Sequence, residues 1–461
     1  MERPNIIFVF SDQQRWDTLG CLGQALDVTP NLDKMAEEGV LFANTFTCQP
    51  VCGPARACIQ SGLYATETGC TRNGIALPLD QKTIAHYFRE NGYEVGYIGK
   101  WHLASTMGPV DHDVGEHVNF RKSPIPPERR GGYEDFWLAS DVLEWTSHGF
   151  SGHLFNGDME KVEFEGYRVD CLTDFILDYL EKRTLDKPFF LFVSYIEPHH
   201  QNDQHRYVGP KYSKEKFKDY VVPGDLKGTK GDWRESFPDY LGCCHSLDKN
   251  FQRIRDKIEE LGIKDNTCIF YTSDHGSHFR TRNREYKRSC HEASIHVPLV
   301  VYGPGFKGGK KVQELVSLID YSPTLLKCAD INPPDYMKGI AIQEIIKGNK
   351  EIEREAVFLQ ISESQVGRAI RTKKWKYSIH APRKIGVYHS HSDLYEEQYL
   401  YDLENDPHER NNLVKDKRFK EVRAELAEIL KKKMAEANEK VPEIVPKRNV
   451  WEKLKAVFKK D

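Results

Sequence analysis

Strand-length apolar runs recur along this chain with amphipathic stretches between them. That alternation restricts the fold to an α/β architecture with a large, mostly parallel sheet covered by helices on both faces. The runs fall at residues 5–10, 94–98, 189–196, 267–272 and 297–302. Helix ends are readable between them: Thr29 precedes Pro30 at a helix start, and Thr83 opens a helix that stops at Gly92. Ser246 reads as the cap of a third, whose apolar face is Leu247, Phe251, Ile254, Ile258 and Leu261. From about residue 351 the texture changes to short alternating segments and a charged amphipathic stretch at 419–438. This predicts a catalytic α/β domain over 1–350 and, over 351–461, a smaller α+β subdomain with an antiparallel sheet and a terminal helix. The segment 108–166, rich in His, Pro, Gly and aromatic residues, is too long for a plain connection and is expected to shape a substrate mouth.

Several classes of protein are excluded at this stage. No run approaches the roughly 18 apolar residues of a membrane span. Lys plus Arg is 66 and Asp plus Glu 69, a formal charge of −3, so charge offers no reason to expect a nucleic-acid or membrane partner. The chain passes from Met1 almost directly into a strand without a basic or apolar leader, which predicts a cytoplasmic protein. Eleven scattered cysteines, without a C-x-x-C pair, read neither as a disulfide framework nor as structural zinc.

In a parallel sheet, ligands bind beyond the carboxyl ends of the strands. Here the first run ends at Asp12-Gln13, the second at Lys100-Trp101-His102, the third at Glu197-Pro198-His199-His200 and the fourth at Asp274-His275. Each residue alone could be a turn or cap residue. Four strands delivering carboxylates, imidazoles and a lysine to one edge point to metal-assisted hydrolysis. Cys52-Gly53-Pro54-Ala55-Arg56 reads as a helix opening with Pro54 first, which sets Cys52 at an electropositive helix start one turn from Arg56.

These residues together resemble the formylglycine-dependent sulfatase family of the alkaline-phosphatase-like superfamily. The C-x-P-x-R pattern at 52–56, "GYEVGYIGKWHL", "FVSYIEPHH", "FYTSDHG" and the Lys287–Glu292 spacing each look like a segment of that family. The resemblance implies that a separate maturation enzyme converts Cys52 to Cα-formylglycine. It also implies that Asp12, Gln13, Asp274 and His275, with residue 52, hold one divalent metal. Calcium is the family's metal, and Gln13 and His275, which stand where relatives often carry Asp and Asn, leave manganese, magnesium or zinc open. By the same resemblance Lys100 and Lys287 bind sulfate, His199 is the general acid, His102 takes the proton that frees sulfate, and Arg56 orients residue 52.

Around this core, His200, His278 and His291 are structural or substrate-facing, and Arg280, Arg282 or Arg284 could hold a substrate carboxylate or second sulfate. The expected activity is sulfuric ester hydrolysis, with a carbohydrate sulfate as preferred substrate and an aryl or steroid sulfate as alternative. A phosphonate monoester or phosphodiester hydrolase of the same superfamily remains open, as does a fold-sharing binder without turnover. The polar Cys52, Lys100, His102, His199, Asp274 and Lys287 set argues against the binder.

Overall fold

The computed structural model describes residues 3–184, 186–348 and 353–447. Ten strands form the main sheet: β1 (Asn5–Ser11), β2 (Val40–Phe46), β3 (Glu94–Lys100), β4 (Phe136–Ser140), β5 (Ser151–Asn156), β6 (Lys161–Glu165), β7 (Phe189–Ser194), β8 (Thr267–Ser273), β9 (Leu299–Tyr302) and β10 (Lys310–Ser317). Their spatial order is β10-β2-β9-β8-β1-β7-β3-β4-β5-β6. The centre of the sheet, β8-β1-β7-β3-β4, is parallel throughout.

Every residue of β1 is buried, as a central strand covered on both faces requires. Its alternate side chains feed two cores. Phe8 and Phe10 join Phe192 and Phe270 on one face, while Ile7 and Val9 join Leu191, Val193, Ile269 and Tyr271 on the other.

Four local readings change. The run at 297–302 reads as one more strand of the parallel set, but β9 is antiparallel to β8 and β2. Only a four-residue helix, Glu292–Ile295, lies between β8 and β9, so no crossover carries the chain back to the opposite edge. Segment 108–166 is more than a loop, because it contains β4, β5 and β6 and extends the sheet. Ser246 is not a cap: the helix runs from Trp233 to Glu260, and its buried stripe continues upstream through Phe237, Leu241 and Cys244. In the helix Cys52–Ser61, Val51 is the cap and Cys52 the first residue, which makes Pro54 third.

The second sheet is β11 (Val357–Ile361), β12 (Gly367–Arg371), β13 (Trp375–His380), β14 (Leu394–Asp402) and β15 (Glu443–Val445), in that order. It is antiparallel except for β14 with β15. The helix Lys420–Glu436 buries Leu426, Leu430 and Met434 in the same core as Phe358, Ile370 and Tyr377. The division expected between 350 and 351 and the tail from 448 lie outside the described residues. Among the described residues no helix is long and apolar enough to cross a membrane.

An ion cluster ties the small sheet to the large one. The Lys376 ammonium is wholly buried, 2.5 Å from Glu292 Oε1 and 2.7 Å from Glu409 Oε1. Arg282 reinforces the junction by donating to the carbonyls of His408 and Glu409. Removing one member of a buried ionic cluster leaves the others uncompensated. Lys376→Ala should therefore cost about 3–5 kcal/mol, read as a lower urea midpoint.

Candidate active site

Strand register builds the site. Ser11 pairs with Ser273 across β1 and β8, so the residues that follow, Asp12 and Asp274, leave the sheet side by side. The backbone N–H of Gln13 then donates to Asp274 Oδ1 at 2.9 Å. On the other flank, Phe10 and Gly99 both pair with Ser194, which brings Lys100 to the same edge. Gly99 sits at φ 108°, and a Cβ there would meet the Ser194 carbonyl oxygen at 2.0 Å. Only glycine lets β3 approach β7 this closely. Gln13 (φ 71°) and His102 (φ 63°) leave their strands through left-handed turns, a conformation that costs energy in non-glycine residues and tends to occur at functional sites.

The Asp12 carboxylate is the centre of the arrangement. Its Oδ2 accepts from Lys100 Nζ at 2.8 Å and Arg56 NH2 at 3.0 Å, and all three side chains are buried. Burial and the Cys52 side chain oppose its ionisation, but Lys100, His199 and Lys287 outweigh them and hold the carboxyl well below the usual range. The other Arg56 nitrogen donates to the Lys100 carbonyl and Ser194 Oγ. Arg56 therefore grips the carboxylates and strand ends one helical turn from residue 52.

Cys52 is almost wholly buried. Its Sγ lies 2.8 Å from Lys287 Nζ, 3.3 Å from His275 Nε2 and 3.4 Å from Asp12 Oδ1. Burial alone would push the thiol up, yet Lys100, Lys287 and His275 together hold it well below its ordinary value. Position 52 is thus an anion-stabilising spot. His102 faces the same side chain and leaves its buried Nδ1 without a partner.

The residues fit a divalent cation. Asp12, Cys52, Asp274 and His275 each offer a ligand atom, all within 4.8 Å of one another, the one such His/Cys/Asp/Glu grouping among the described residues. Asp274 Oδ2 is buried with no hydrogen-bond partner. Burial first, then the Asp12 carboxylate, raises Asp274 to about 6, as expected of a carboxyl short of positive charge. The Gln13 amide donates to Tyr207 Oη and Ser277 Oγ, which leaves its Oε1 on the pocket side, 3.5 Å from Lys287 Nζ. With Gln13 the donors are three oxygens and one nitrogen plus residue 52, a mixed set compatible with several hard or borderline divalent ions.

His199 stands on the opposite side of Lys287, its Nε2 3.0 Å from that ammonium and its Nδ1 3.2 Å from Glu144 Oε2. Burial and then Lys287 disfavour its protonation, but Asp12 and Glu144 outweigh them, and the imidazole stays above its ordinary pKa. Glu144 is in turn held down to about 2, against burial, chiefly by His199. Asn202 fixes Glu144 by donating to Oε1 at 2.7 Å.

The structure brings together Asp12, Gln13, Cys52, Lys100, His102, His199, Asp274, His275 and Lys287, with Arg56 behind them. It places the outer candidates differently. His200 lines the pocket, stacked on Tyr286 with ring centroids 4.3 Å apart. His291 does not: it is buried between Ser289 and Tyr401, because the turn after Lys287 carries it into the junction with the small sheet. Arg280 lies over the Tyr286 ring and faces Asp232, and Arg282 is used up on backbone carbonyls. Neither these two nor Arg284 lines the pocket.

Sequence reasoning missed Glu144, Trp145 and Arg121, all of which border the pocket. The available signal was "FWLAS": read as strand β4, it would have delivered Glu144 to the same carboxyl edge.

A family model for sulfatases matches residues 4–331, and a model for the C-terminal region of N-sulphoglucosamine sulphohydrolases matches 284–436. The chain is 29% identical to an ulvan-active sulfatase of Formosa agariphila, over 94% of this chain and 81% of that protein. It is 25% identical to an N-acetylglucosamine-6-O-sulfatase of Bacteroides thetaiotaomicron, over 96% and 88%. A solved structure bound to its substrate D-glucosamine-2-N,6-O-disulfate superposes with a TM-score of 0.75 at 22% identity, over 95% of this chain and 98% of the other. Since the sulfatase model spans the whole sheet that carries the site, this chain belongs to the sulfatase family and is a sulfatase enzyme.

Proposed function

We propose that this sulfatase releases inorganic sulfate from a sulfated carbohydrate, with residue 52 acting as formylglycine beside one divalent metal. The observation that carries the reading is the line of groups from Asp12 through Cys52 and Lys287 to His199, each in polar contact with the next. A metal held by Asp12, Gln13, Asp274 and His275, together with the aldehyde hydrate that formylglycine presents, would supply an acidified hydroxyl nucleophile.

The chain's own residues do the rest. Lys100 and Lys287 flank position 52 and neutralise sulfate oxygens as charge builds in the transition state. His199, whose protonation Asp12 and Glu144 favour, donates to the departing ester oxygen, with Glu144 Oε2 in ion-pair range of its Nδ1. His102 stands on the other side of residue 52, where it can take a proton from that side chain. Arg56 keeps the carboxylates and the Lys100 carbonyl rigid.

The sugar is supported by the mouth, where Asn73, Asn202, Glu285 and Arg288 offer polar contacts beside Trp145 and Tyr286. It is supported also by the names of the relatives, which act on ulvan and on N-acetylglucosamine 6-O-sulfate. Sulfate release from defined sulfated saccharides, measured beside nitrophenyl sulfate and a nitrophenyl phosphonate, tests the whole reading. A higher kcat/KM for the phosphonate would overturn it. Peptide mass spectrometry should find formylglycine at 52 in active protein, and Cys52→Ala should abolish turnover.

The general acid has its own signature. A sugar alkoxide leaves poorly without a proton, whereas nitrophenolate does not need one. His199→Ala should slow a sugar sulfate by about 100- to 10,000-fold and spare most activity on nitrophenyl sulfate. His102→Ala should slow both esters to the same extent. Equal loss on both esters in His199→Ala would remove the acid role from His199.

Metal binding should be linked to protons. Burial and the Asp12 carboxylate raise Asp274 to about 6, so below that pH a cation has to displace its proton. Calcium or manganese affinity, measured by titration calorimetry, should weaken by up to about tenfold per pH unit below about 6 and level off above it. Asp274→Ala should lose the metal and the pH dependence together.

A further inference from the structure

The pocket opens sideways onto a shelf built from the inserted segment between β3 and β5. Its floor is Trp145, on the short turn Leu143–Trp145 that also carries the His199 partner Glu144. The indole is 46% exposed, unusual for so large an apolar side chain at the lip of a polar pocket. Two cations lean on it: Arg121 Cζ lies 5.0 Å and Lys122 Nζ 5.1 Å from the ring centroid. Arg121 and Trp145 border both the catalytic pocket and a second cavity that Asn119, Lys122 and Ser123 complete, so the two spaces adjoin.

The charges on this shelf are unspent. Among the described residues no carboxylate lies within ion-pair distance of Arg121 or Lys122, and the only side-chain acceptor of the Arg121 guanidinium is Asn119 Oδ1 at 3.3 Å. Other arginines around the mouth are neutralised, Arg288 by Glu285 and Glu363 and Arg280 by Asp232. In a chain with a formal charge of −3, two adjacent unpaired cations held in place by an aromatic ring do not follow from composition. An arginine fork beside an ammonium suits a sulfate or carboxylate, and the exposed indole suits the apolar face of a sugar ring.

We propose that Arg121 and Lys122, held on the Trp145 indole, form a second anion subsite that binds a sulfate or carboxylate on the sugar next to the one losing sulfate. This rests on the carbohydrate reading above and narrows it: the substrate is a saccharide of at least two residues with an anionic neighbour. The subsite carries the function that sequence reasoning assigns to the arginines at 280–284.

The test uses three disaccharides that share one reactive sulfate ester and differ in the adjoining sugar, which is neutral, a uronate, or sulfated. The whole enzyme should prefer an anionic neighbour by about tenfold or more in kcat/KM. The higher of the two anionic arms identifies carboxylate or sulfate as the group bound. The preference should shrink with added salt, disappear in R121A/K122A, and largely survive in the charge-conserving R121K/K122R. Indifference of the unaltered enzyme to the neighbour's charge, or a preference that persists in R121A/K122A, would overturn the subsite. If the enzyme hydrolyses nitrophenyl sulfate but none of the disaccharides, the carbohydrate reading fails separately. The same three compounds, used as inhibitors of nitrophenyl sulfate hydrolysis, then read the subsite through the order of their inhibition constants in the unaltered and R121A/K122A proteins.

Discussion

The buried Asp12 carboxylate is the constraint on which the rest of the site depends. An ionised carboxyl taken wholly out of water is tolerated only when opposite charges and donors surround it. Here Lys100 and Arg56 bind one oxygen, while the Cys52 side chain and the His199 imidazole approach the other. Three parts of the chain, the helix that carries Cys52 and Arg56, the end of β3 and the turn after β7, are thereby held against one residue. The arrangement is frustrated as protein alone, since Asp274 Oδ2 is buried without a hydrogen bond, with Arg56 NH2 no closer than 3.9 Å, and its pKa is raised. That residual shortage of positive charge is what suits the cluster to a divalent cation.

The sheet makes this knot possible. Parallel strands β8-β1-β7-β3 all end at one edge, and their register sets Asp12 beside Asp274 and Lys100 beside Ser194. Because the strands are packed on both faces, the edge is rigid, and groups projecting from it hold their spacing without substrate. Catalytic charge is thus organised in advance, which is the form of electrostatic assistance that costs least at the moment of reaction. The periphery is built on different terms. The insertion that carries β4 supplies Glu144 beside His199 and Trp145 at the pocket lip, so one short turn reaches both the buried imidazole and the mouth.

The small sheet contributes from a distance. Glu292, five residues after Lys287, is engaged by Lys376 and Arg371 of the C-terminal subdomain, and Arg282 reaches the carbonyls after β14. The segment 280–292 therefore runs from the mouth into the junction. Arg282 serves that anchorage, while the Lys287 ammonium turns inward to Cys52.

The sequence by itself determined the α/β class, the strands that carry the site, and the residues at their ends, because apolar periodicity is local and a central strand announces itself by burying both faces. The cysteine pattern at 52–56 and the lysine and histidine motifs are legible for the same reason: each is a short segment whose chemistry does not depend on its neighbours. Only the tertiary structure decided the direction of β9, the full length of the helix around Ser246, and the division of labour among the histidines and arginines. Direction depends on which edge the chain returns to, and a mid-helix serine looks like a cap until the stripe upstream is seen packed. His291 and His200 both follow strands of the main sheet in polar segments, yet one is buried against Tyr401 and the other faces the pocket. Arg121, Glu144 and Trp145 carry no motif at all; they matter because the insertion around β4 brings them to the same pocket as Cys52 and His199, and contact across that distance is a property of packing, not of pattern.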